Sequence, residues 1–426
     1  MDVAGSNPKP ETFARQHGAP PTAPTAAAPG RNADTLSNEA TAPSLIGGRI
    51  VTDEGAPRDG WIRIERGRIA EIGEGPVPGG APDLDGRWIV PGFVDIHCHG
   101  GGGGSLTSRD QHQISRAVDA HRAHGTTTML ASLVTASIPQ LREQIESLLE
   151  PVAAGQLAGI HLEGPFLSAV RCGAHDTDML RPPDPETVTE LLEAGRGAVR
   201  MVTLAPELDG AVEAVKQLSE AGVIAAVGHT DAVAEQVRPA VEAGATVATH
   251  LFNGMRPLHH REPGPVGTLL DDERITVELI CDMVHLHPTV ARLVARHAGP
   301  ARTVAVTDAI SATEAGDGHY ELGSLPLTVT NGEPRLADGS LAGSTLTMDT
   351  ALRNLVERCG LSLPEAVAAC ATKPAELLGL SDRLGSIRPG LEADLVVLDE
   401  GLRPRHVLKS GSVVSGNLAG SDPAAR

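Results

Sequence analysis

The sequence predicts an α/β protein: a (β/α)8 TIM-like barrel with a small β-sandwich domain built from both ends of the chain. Two observations predict this fold. The middle of the chain alternates eight apolar, β-rich runs with helix-like segments, and such alternation is typical of a parallel sheet covered by helices. Short strand-like stretches also occur towards both ends, which indicates one β domain assembled from distant segments.

The assignment of elements follows the chain. The apolar runs assigned to barrel strands are 88–99, 126–135, 158–166, 199–207, 223–230, 246–253, 276–285 and 303–310. The helix-like segments between them include 211–220, 232–242 and 288–297. The strand-like stretches of the terminal domain are 45–51, 61–65, 68–73, 393–398 and 406–408. Eight strand–helix units are the number that a closed (β/α)8 barrel requires.

Three parts of the chain follow from this pattern. Residues 1–44 are rich in Ala, Pro and Thr and have no strand or helix period, so we expect a disordered tail. Residues 45–90 and 375–417 form the predicted β domain, and residues 91–374 form the predicted barrel.

Composition and charge exclude several classes of partner. The 426 residues include 2 Trp, 1 Tyr and 4 Phe, too few for a stacking platform that binds single-stranded nucleic acid. The net charge of −19 repels phosphate backbones and anionic lipid surfaces. We therefore expect no nucleic-acid or membrane partner.

The cysteines and the apolar runs bear on location. The five cysteines are odd in number and form no CxxC motif, which favours a reducing compartment over a disulfide scaffold. No apolar run approaches the roughly 18 residues of a membrane span, and the N-terminus does not resemble a signal peptide. We expect a cytoplasmic protein.

Polar side chains stand where the predicted barrel strands end. The carboxyl ends of all barrel strands meet on one face, so these residues are expected in one pocket. The two histidines of the first run, two positions apart, point to the same side of their strand. The residues at these ends are His97, His99, Glu163, His229, His250 and Asp308.

Imidazole and carboxylate ligands together suit zinc, iron, manganese or cobalt. We expect one or two divalent metals per subunit, with zinc favoured. In the two-metal arrangement, one metal is held by His97, His99 and Asp308, the other by His229 and His250, and Glu163 bridges them. Such metals activate water and polarise a carbonyl oxygen. Asp308 could then take the proton of that water and pass it to a leaving group.

Several motifs carry a family resemblance. The segment 91–100 resembles the first-strand signature of the amidohydrolase superfamily. Together with segments 161–166, 173–175, 228–230, 249–253, 261–264, 306–309 and 341–344, it resembles the N-acetylglucosamine-6-phosphate deacetylase family over roughly residues 45–415. The resemblance implies a hydrolase of linear amide C–N bonds in amino-sugar catabolism. Its products would be glucosamine 6-phosphate and acetate.

The resemblance also implies residue roles. Glu163, His229 and His250 match the metal ligands that the family keeps, and the retained His97 and His99 imply a second metal. Asp308 would be the general base and acid, and His175 would stabilise the oxyanion. The positions matching contacts to the phosphorylated sugar are Ala174, Asn253, Gly254, Arg261, His285, Leu341, Ala342 and Gly343.

Arg261 would reach the substrate phosphate across a subunit interface, so the resemblance implies a homodimer. Two positions depart from the family pattern. Gly254 stands where Ala is common, and Met283 stands where Gly is common.

Two alternative functions stay open at this point. Another C–N hydrolase of the superfamily, such as a dihydroorotase or hydantoinase, usually bridges its metals with a lysine on the fourth strand, and the run 199–207 contains none. An isoaspartyl dipeptidase or a deaminase requires that the assignments of Arg261 and His285 fail. A non-catalytic sugar-phosphate-binding barrel is disfavoured by the presence of Glu163 and Asp308. Acetate release separates these functions.

Overall fold

The computed structural model describes residues 45–52, 56–80 and 83–416. The predicted tail and residue 417 lie outside the described residues. The strands are β1 (Leu45–Ile50), β2 (Arg58–Glu65), β3 (Arg68–Glu74), β4 (Asp83–Pro91), β5 (Phe93–Asp95), β6 (Gly100–Gly101), β7 (Gly104–Ser105), β8 (Thr126–Val134), β9 (Gly159–Glu163), β10 (Val199–Leu204), β11 (Ile224–Val227), β12 (Val247–Ala248), β13 (Thr276–Ile280), β14 (Thr303–Val306), β15 (Gly318–Leu322), β16 (Leu325–Thr330), β17 (Glu333–Arg335), β18 (Leu395–Leu398), β19 (Pro404–Lys409) and β20 (Ser412–Ser415).

The α-helices of the same residues are α1 (Gln111–Ala123), α2 (Ile138–Ala153), α3 (Pro185–Gly195), α4 (Ala211–Glu220), α5 (Ala234–Ala243), α6 (Gly264–Asp271), α7 (Pro288–Ala298), α8 (Met348–Glu357), α9 (Leu363–Val367) and α10 (Lys373–Leu377). A π-helical turn, Ala368–Thr372, joins the last two helices. None of the helices in the described part of the chain is long and apolar enough to cross a membrane.

The barrel confirms the predicted fold class. Among the described residues, eight parallel strands follow one another in the order β5, β8, β9, β10, β11, β12, β13 and β14. The ring closes between the first and last of these strands through a parallel bridge from Cys98 to Ala309. There the Asp308 amide donates to the His97 carbonyl oxygen at 2.8 Å. The closing contact therefore joins two segments that carry predicted site residues.

The helices cover the barrel through one apolar face each. In α4, the buried residues are Ala211, Ala214, Val215 and Leu218, a spacing of three and four that places them on one side of a helix. Burying a side chain such as Val215 or Leu218 contributes about 1.5–3 kcal/mol. The predicted helix over 211–220 is confirmed.

Both ends of the chain build the second sheet, as predicted. Within the described residues, its seven strands run in the order β20, β19, β18, β4, β1, β2, β3. The sheet has its own apolar core, in which Ile62 and Ile69 pack with Ile89, Leu395 and Leu408. The predicted run 88–99 is divided between the two sheets, because β4 ends at Pro91 and β5 begins two residues later.

A three-stranded sheet, β15–β16–β17, was absent from the predicted elements. An Asn331–Gly332 turn, a common hairpin signal, joins its last two strands. Leu322, Leu327 and Val329 from this sheet pack in a small cluster with Ala174 and Ala342. This sheet therefore supports two segments that we predicted to contact the sugar.

Candidate active site

A cavity of about 320 Å³ opens at the carboxyl ends of the barrel strands. The predicted residues that line it are His99, Glu163, Ala174, His175, His229, His250, Asn253, Gly254, His285, Asp308, Leu341 and Gly343. Its lining also includes three residues that the sequence reasoning missed: Gly173, Leu322 and Ser340. The structure thus brings most predicted site residues together.

Three predicted residues are absent from the lining. His97 is fully buried beneath the cavity and contacts residues of its floor. Ala342 is fully buried in the cluster under the three-stranded sheet, so it supports the neighbouring Leu341 and Gly343. Arg261 is exposed, and its guanidinium lies 2.8 Å from the His260 ring nitrogen.

Glu163 divides its two carboxylate oxygens between two sets of side chains. Its Oε2 lies 3.3 Å from His97 Nε2 and 3.2 Å from His99 Nε2. Its Oε1 lies 3.1 Å from His229 Nε2 and 2.9 Å from His250 Nε2. We call His97, His99 and Asp308 the first donor group, and His229 and His250 the second donor group. Glu163 contacts both groups, and we call its carboxylate the bridge.

The hydrogen bonds of the ring nitrogens test whether these groups suit a cation. His99 Nδ1 lies 3.1 Å from the Ser132 carbonyl oxygen, and His229 Nδ1 lies 2.9 Å from the Arg171 carbonyl oxygen. Each Nδ1 must donate its proton there, so in the neutral ring Nε2 carries a lone pair.

The Nε2 atoms of these rings face other ring nitrogens. Those of His97 and His99 are 3.2 Å apart, and those of His229 and His250 are 3.1 Å apart. Ring nitrogens so close to one another need a proton or a cation between them, and a divalent cation can take the place of the protons. The donor set of imidazoles and carboxylates therefore fits divalent cations of the zinc type.

The carboxylates stay ionised in the cation-free protein. Burial raises the pKa of Glu163, but the charge of His97 and hydrogen bonds from His175, His229 and His250 outweigh it and hold the pKa well below its ordinary value. Burial likewise raises the pKa of Asp308, and the two histidines of the first donor group bring it down to about 2. Both side chains are therefore available as anionic ligands or bases at neutral pH.

His175 is held as a neutral hydrogen-bond donor. Its Nδ1 accepts a hydrogen bond from the Thr135 amide at 3.3 Å, so its proton resides on Nε2. Burial lowers the pKa of His175 to about 4, which keeps the ring uncharged at neutral pH. The Nε2 atom lies 3.5 Å from Glu163 Oε2. An N–H donor thus stands beside the bridge carboxylate.

The backbone at the strand ends is strained. His229, His250 and Asp308 have φ values of 46°, 29° and 50°, in the left-handed region that costs non-glycine residues about 1–3 kcal/mol each. Met283, which stands where the family commonly has glycine, has a φ of 66°. Such strain clusters at functional sites, where the surrounding structure over-determines the backbone.

A loop on the cavity rim holds the second donor group. Asp231 accepts hydrogen bonds from Arg171 Nε at 2.8 Å and from Arg256 Nη2 at 2.9 Å. These three residues, which we call the loop clip, tie residues 168–176 to the segment after β12. A Cβ on Gly173 or Gly254 would approach the His229 ring to 3.1 or 2.8 Å. Glycine at these two positions therefore lets both loops pack against the ligand.

Two further polar clusters support the site. His285 donates from Nδ1 to Asp282 at 2.7 Å, which fixes its ring at the cavity wall.

Asp95 accepts from Thr307 Oγ1 at 2.6 Å and from the His97 amide at 3.2 Å. Asp95 also stands near Cys98 and His121. Because these hydrogen bonds join the two strands that close the barrel, Asp95 is expected to stabilise the backbone beside His97 and Asp308.

The fold and the paired donor groups define a metal-dependent hydrolase of the amidohydrolase class. Residues 88–419 match the sequence profile of the Amidohydrolase family. The chain is 36% identical to an N-acetylgalactosamine-6-phosphate deacetylase from Escherichia coli O157:H7, with 86% of this chain and 98% of the relative covered. It is 35% identical to an N-acetylglucosamine-6-phosphate deacetylase from Lysinibacillus sphaericus, covering 85% and 95%.

The chain is also similar to a solved structure of a deacetylase. It is a mutant N-acetyl-D-glucosamine-6-phosphate deacetylase from Mycobacterium smegmatis in complex with N-acetyl-D-glucosamine-6-phosphate. The likeness has a TM-score of 0.85 and 46% identity over 87% of this chain and 99% of that one. The chain belongs to the amidohydrolase family and, within it, to the N-acetylglucosamine-6-phosphate deacetylases.

Proposed function

We propose that the protein hydrolyses the acetamide of N-acetylglucosamine 6-phosphate to glucosamine 6-phosphate and acetate. The observation that carries this proposal is the bridging of two donor groups by Glu163 at the floor of a cavity that also contains Asp308 and His175. The volume of about 320 Å³ is at the lower end for small-molecule sites.

Each donor group is proposed to bind one divalent cation. Zinc is favoured by the imidazole and carboxylate ligands, and iron, manganese and cobalt share this preference. A cation bound there would supply a Lewis acid for the acetyl carbonyl and a lowered pKa for water. The side chains that would hold the cations are those of the first donor group, the second donor group and the bridge.

Asp308 and His175 then have separate tasks. The Asp308 carboxylate, ionised at neutral pH, accepts the proton of the attacking water and passes it to the nitrogen of the leaving amine. His175, neutral and protonated on Nε2, donates to the acetyl oxygen as negative charge develops. Removing one such donor costs about 10²–10³-fold in kcat in well-studied hydrolases.

The remaining predicted residues are proposed to bind the sugar phosphate. Asn253, Gly254 and His285 form one side of the cavity, and Ala174, Leu341 and Gly343 form another. Ala342 acts from below, through the cluster that it packs in.

Arg261 is proposed to reach the phosphate of a neighbouring subunit in a homodimer. Its guanidinium is exposed in a single chain, and its planar fork suits phosphate oxygens. A cytoplasmic location is proposed on the five free cysteines.

Acetate release tests the function directly. Purified protein supplied with zinc or manganese is expected to release one acetate and one free amine from each N-acetylglucosamine 6-phosphate. The galactosamine epimer tests breadth, and unphosphorylated N-acetylglucosamine tests the phosphate contacts. Absence of acetate with every cation would overturn the proposal, and binding without turnover would favour the non-catalytic barrel.

A further inference from the structure

A further buried carboxylate, that of Glu278, contacts both donor groups. Glu278 stands in the middle of β13, a strand whose residues are all buried, and its side chain has no exposed surface. A buried carboxylate is costly unless charged or hydrogen-bonding partners compensate it. Its partners in the described structure include neither lysine nor arginine, so the compensation comes from elsewhere.

The contacts of Glu278 join both donor groups. Its Oε2 accepts from His97 Nδ1 at 3.2 Å and from the His250 backbone amide at 3.1 Å. Its main-chain carbonyl accepts from the Leu251 amide at 2.9 Å. The other carboxylate oxygen, Oε1, has no hydrogen-bond partner among the described residues. One carboxylate oxygen therefore serves a ring of the first donor group and the backbone of the second.

The consequence for His97 is a fixed tautomer. Because Nδ1 donates to Glu278, the lone pair of the neutral ring lies on Nε2, which faces Glu163 and Asp308 at 3.3 and 3.6 Å. A carboxylate behind a histidine ligand also raises its basicity towards a cation. For His250, the hydrogen bond to Glu278 holds the backbone amide at a strained position, where φ is 29°.

We propose that Glu278 is a positioning residue that sets the cation affinity of the first donor group and locks the ligand backbone of the second. The inference rests on the proposed cation site. Replacing Glu278 with Gln keeps an oxygen that can accept from both N–H groups and removes the negative charge. The variant is therefore expected to weaken cation binding at the first donor group about 10–100-fold and to leave the second donor group unchanged.

The test compares Zn²⁺ and Co²⁺ binding by the full-length wild type, Glu278→Gln and His97→Asn in competition with a chromophoric chelator. The wild type should bind two cations per subunit. The cation retained by Glu278→Gln should give the same Co²⁺ absorption spectrum as the one retained by His97→Asn. Asp349→Asn is the matched control, because Asp349 is also buried but contacts His124 and Arg353 instead, and its cation affinities should equal those of the wild type.

Three results would overturn the proposal: wild-type affinities in Glu278→Gln, equal weakening of both sites, or a single cation per wild-type subunit. If Glu278→Gln does not fold, nitrogen-15 NMR of the histidines tests instead whether His97 Nδ1 donates a hydrogen bond to Glu278. The Zn²⁺-loaded wild type should then show a slowly exchanging Nδ1 proton that His97→Asn lacks, and its absence would contradict the proposal. Cation affinity is measured without substrate, so this result is independent of whether acetate is released.

Discussion

The two donor groups differ in what holds them. The first is fixed by the barrel itself: His99 bonds the carbonyl of Ser132 on β8, and His97 bonds Glu278 on β13. The second is held by the barrel only through the His250 amide, and it also depends on a loop, because His229 bonds the carbonyl of Arg171 in the rim segment 168–176. The Arg171 side chain is 32% exposed, whereas the ring of His97 is 0% exposed. One group is therefore part of the core and the other is completed at the surface.

Because of this difference, we expect the two donor groups to respond differently to salt and to substitutions in the core. Buried hydrogen bonds act in a low dielectric and are little affected by salt. The loop clip lies at the boundary with solvent, where ion pairs are screened and contribute less. Substitutions in the core should therefore act on the first donor group, and changes of ionic strength should act on the second.

The largest expected effect comes from Asp308. Asp308→Asn keeps one oxygen ligand in the first donor group but removes the proposed base, and kcat should fall about 10²–10⁴-fold, the usual contribution of a positioned acid or base. The cation content should equal that of the wild type, as measured by metal analysis of the purified variant. Loss of a cation together with turnover would instead make Asp308 mainly a ligand.

Cation removal should separate the two groups. Dialysis against a chelator should lower the free energy of unfolding by about 2.7 kcal/mol for each bound cation, relative to protein held at a cation concentration 100 times the Kd. Hydrogen exchange should rise in residues 168–176 and around Gly254, because the His229 ring, against which both segments pack, is then no longer held by a cation. Exchange at the seam between β5 and β14 should change less, and an equal increase in both regions would contradict the comparison.

Breaking the loop clip should have a moderate effect. Asp231→Asn removes the charge that Arg171 and Arg256 share, and kcat/KM should fall roughly 3–10-fold, because a pair at the boundary with solvent contributes about 1 kcal/mol. The effect should shrink in high salt, which screens the wild-type pair. Glu190→Gln is the control, since its exposed pair with Arg142 lies between neighbouring helices. Equal losses in both variants would exclude a specific role for the clip.

The smallest effect is a pH dependence that arises outside both donor groups. A hydrogen bond to Asp349 raises the pKa of His124, against the opposing effect of burial. The folded protein therefore binds this proton more tightly than the unfolded chain. The stabilisation is complete below about pH 6.5, the unfolded value, and is lost as pH rises through the raised pKa.

Denaturation at several pH values should show this slope, amounting to about 1 kcal/mol at most, with and without cations. His124→Gln should abolish it. A slope that disappears when cations are removed would place its origin in the active site.

Local patterns were sufficient to predict the ring of strands and the histidines and carboxylates at their ends, whereas the other predicted residues of the cavity came from the family resemblance. The helix over 211–220 matches α4 because its apolar spacing is regular, and the polar strand ends meet because barrel strands are parallel. The three-stranded sheet was missed although its Asn331–Gly332 turn and the alternating Leu325, Leu327 and Val329 of β16 were visible in the sequence. Its absence from the prediction concealed Leu322 and Ser340.

Other features depend on contacts between distant segments. Glu278 could have been noticed as an acidic residue within an apolar run, but its partners, His97 and His250, are far away in sequence. Gly173 became interpretable only when its loop was seen against the His229 ring. The role of Arg261 stays a prediction, because it concerns a second subunit.

The seam of the barrel has a consequence for how the protein acquires its activity. His97 and Asp308 are brought together by the same contact that completes the ring, so the first donor group has no counterpart in an open barrel. The growing chain must reach β14 before this group can exist, whereas Glu163, His229 and His250 are already synthesised by then. The last residue of the first donor group is therefore synthesised after both residues of the second, and the site is complete only when the last barrel strand has docked.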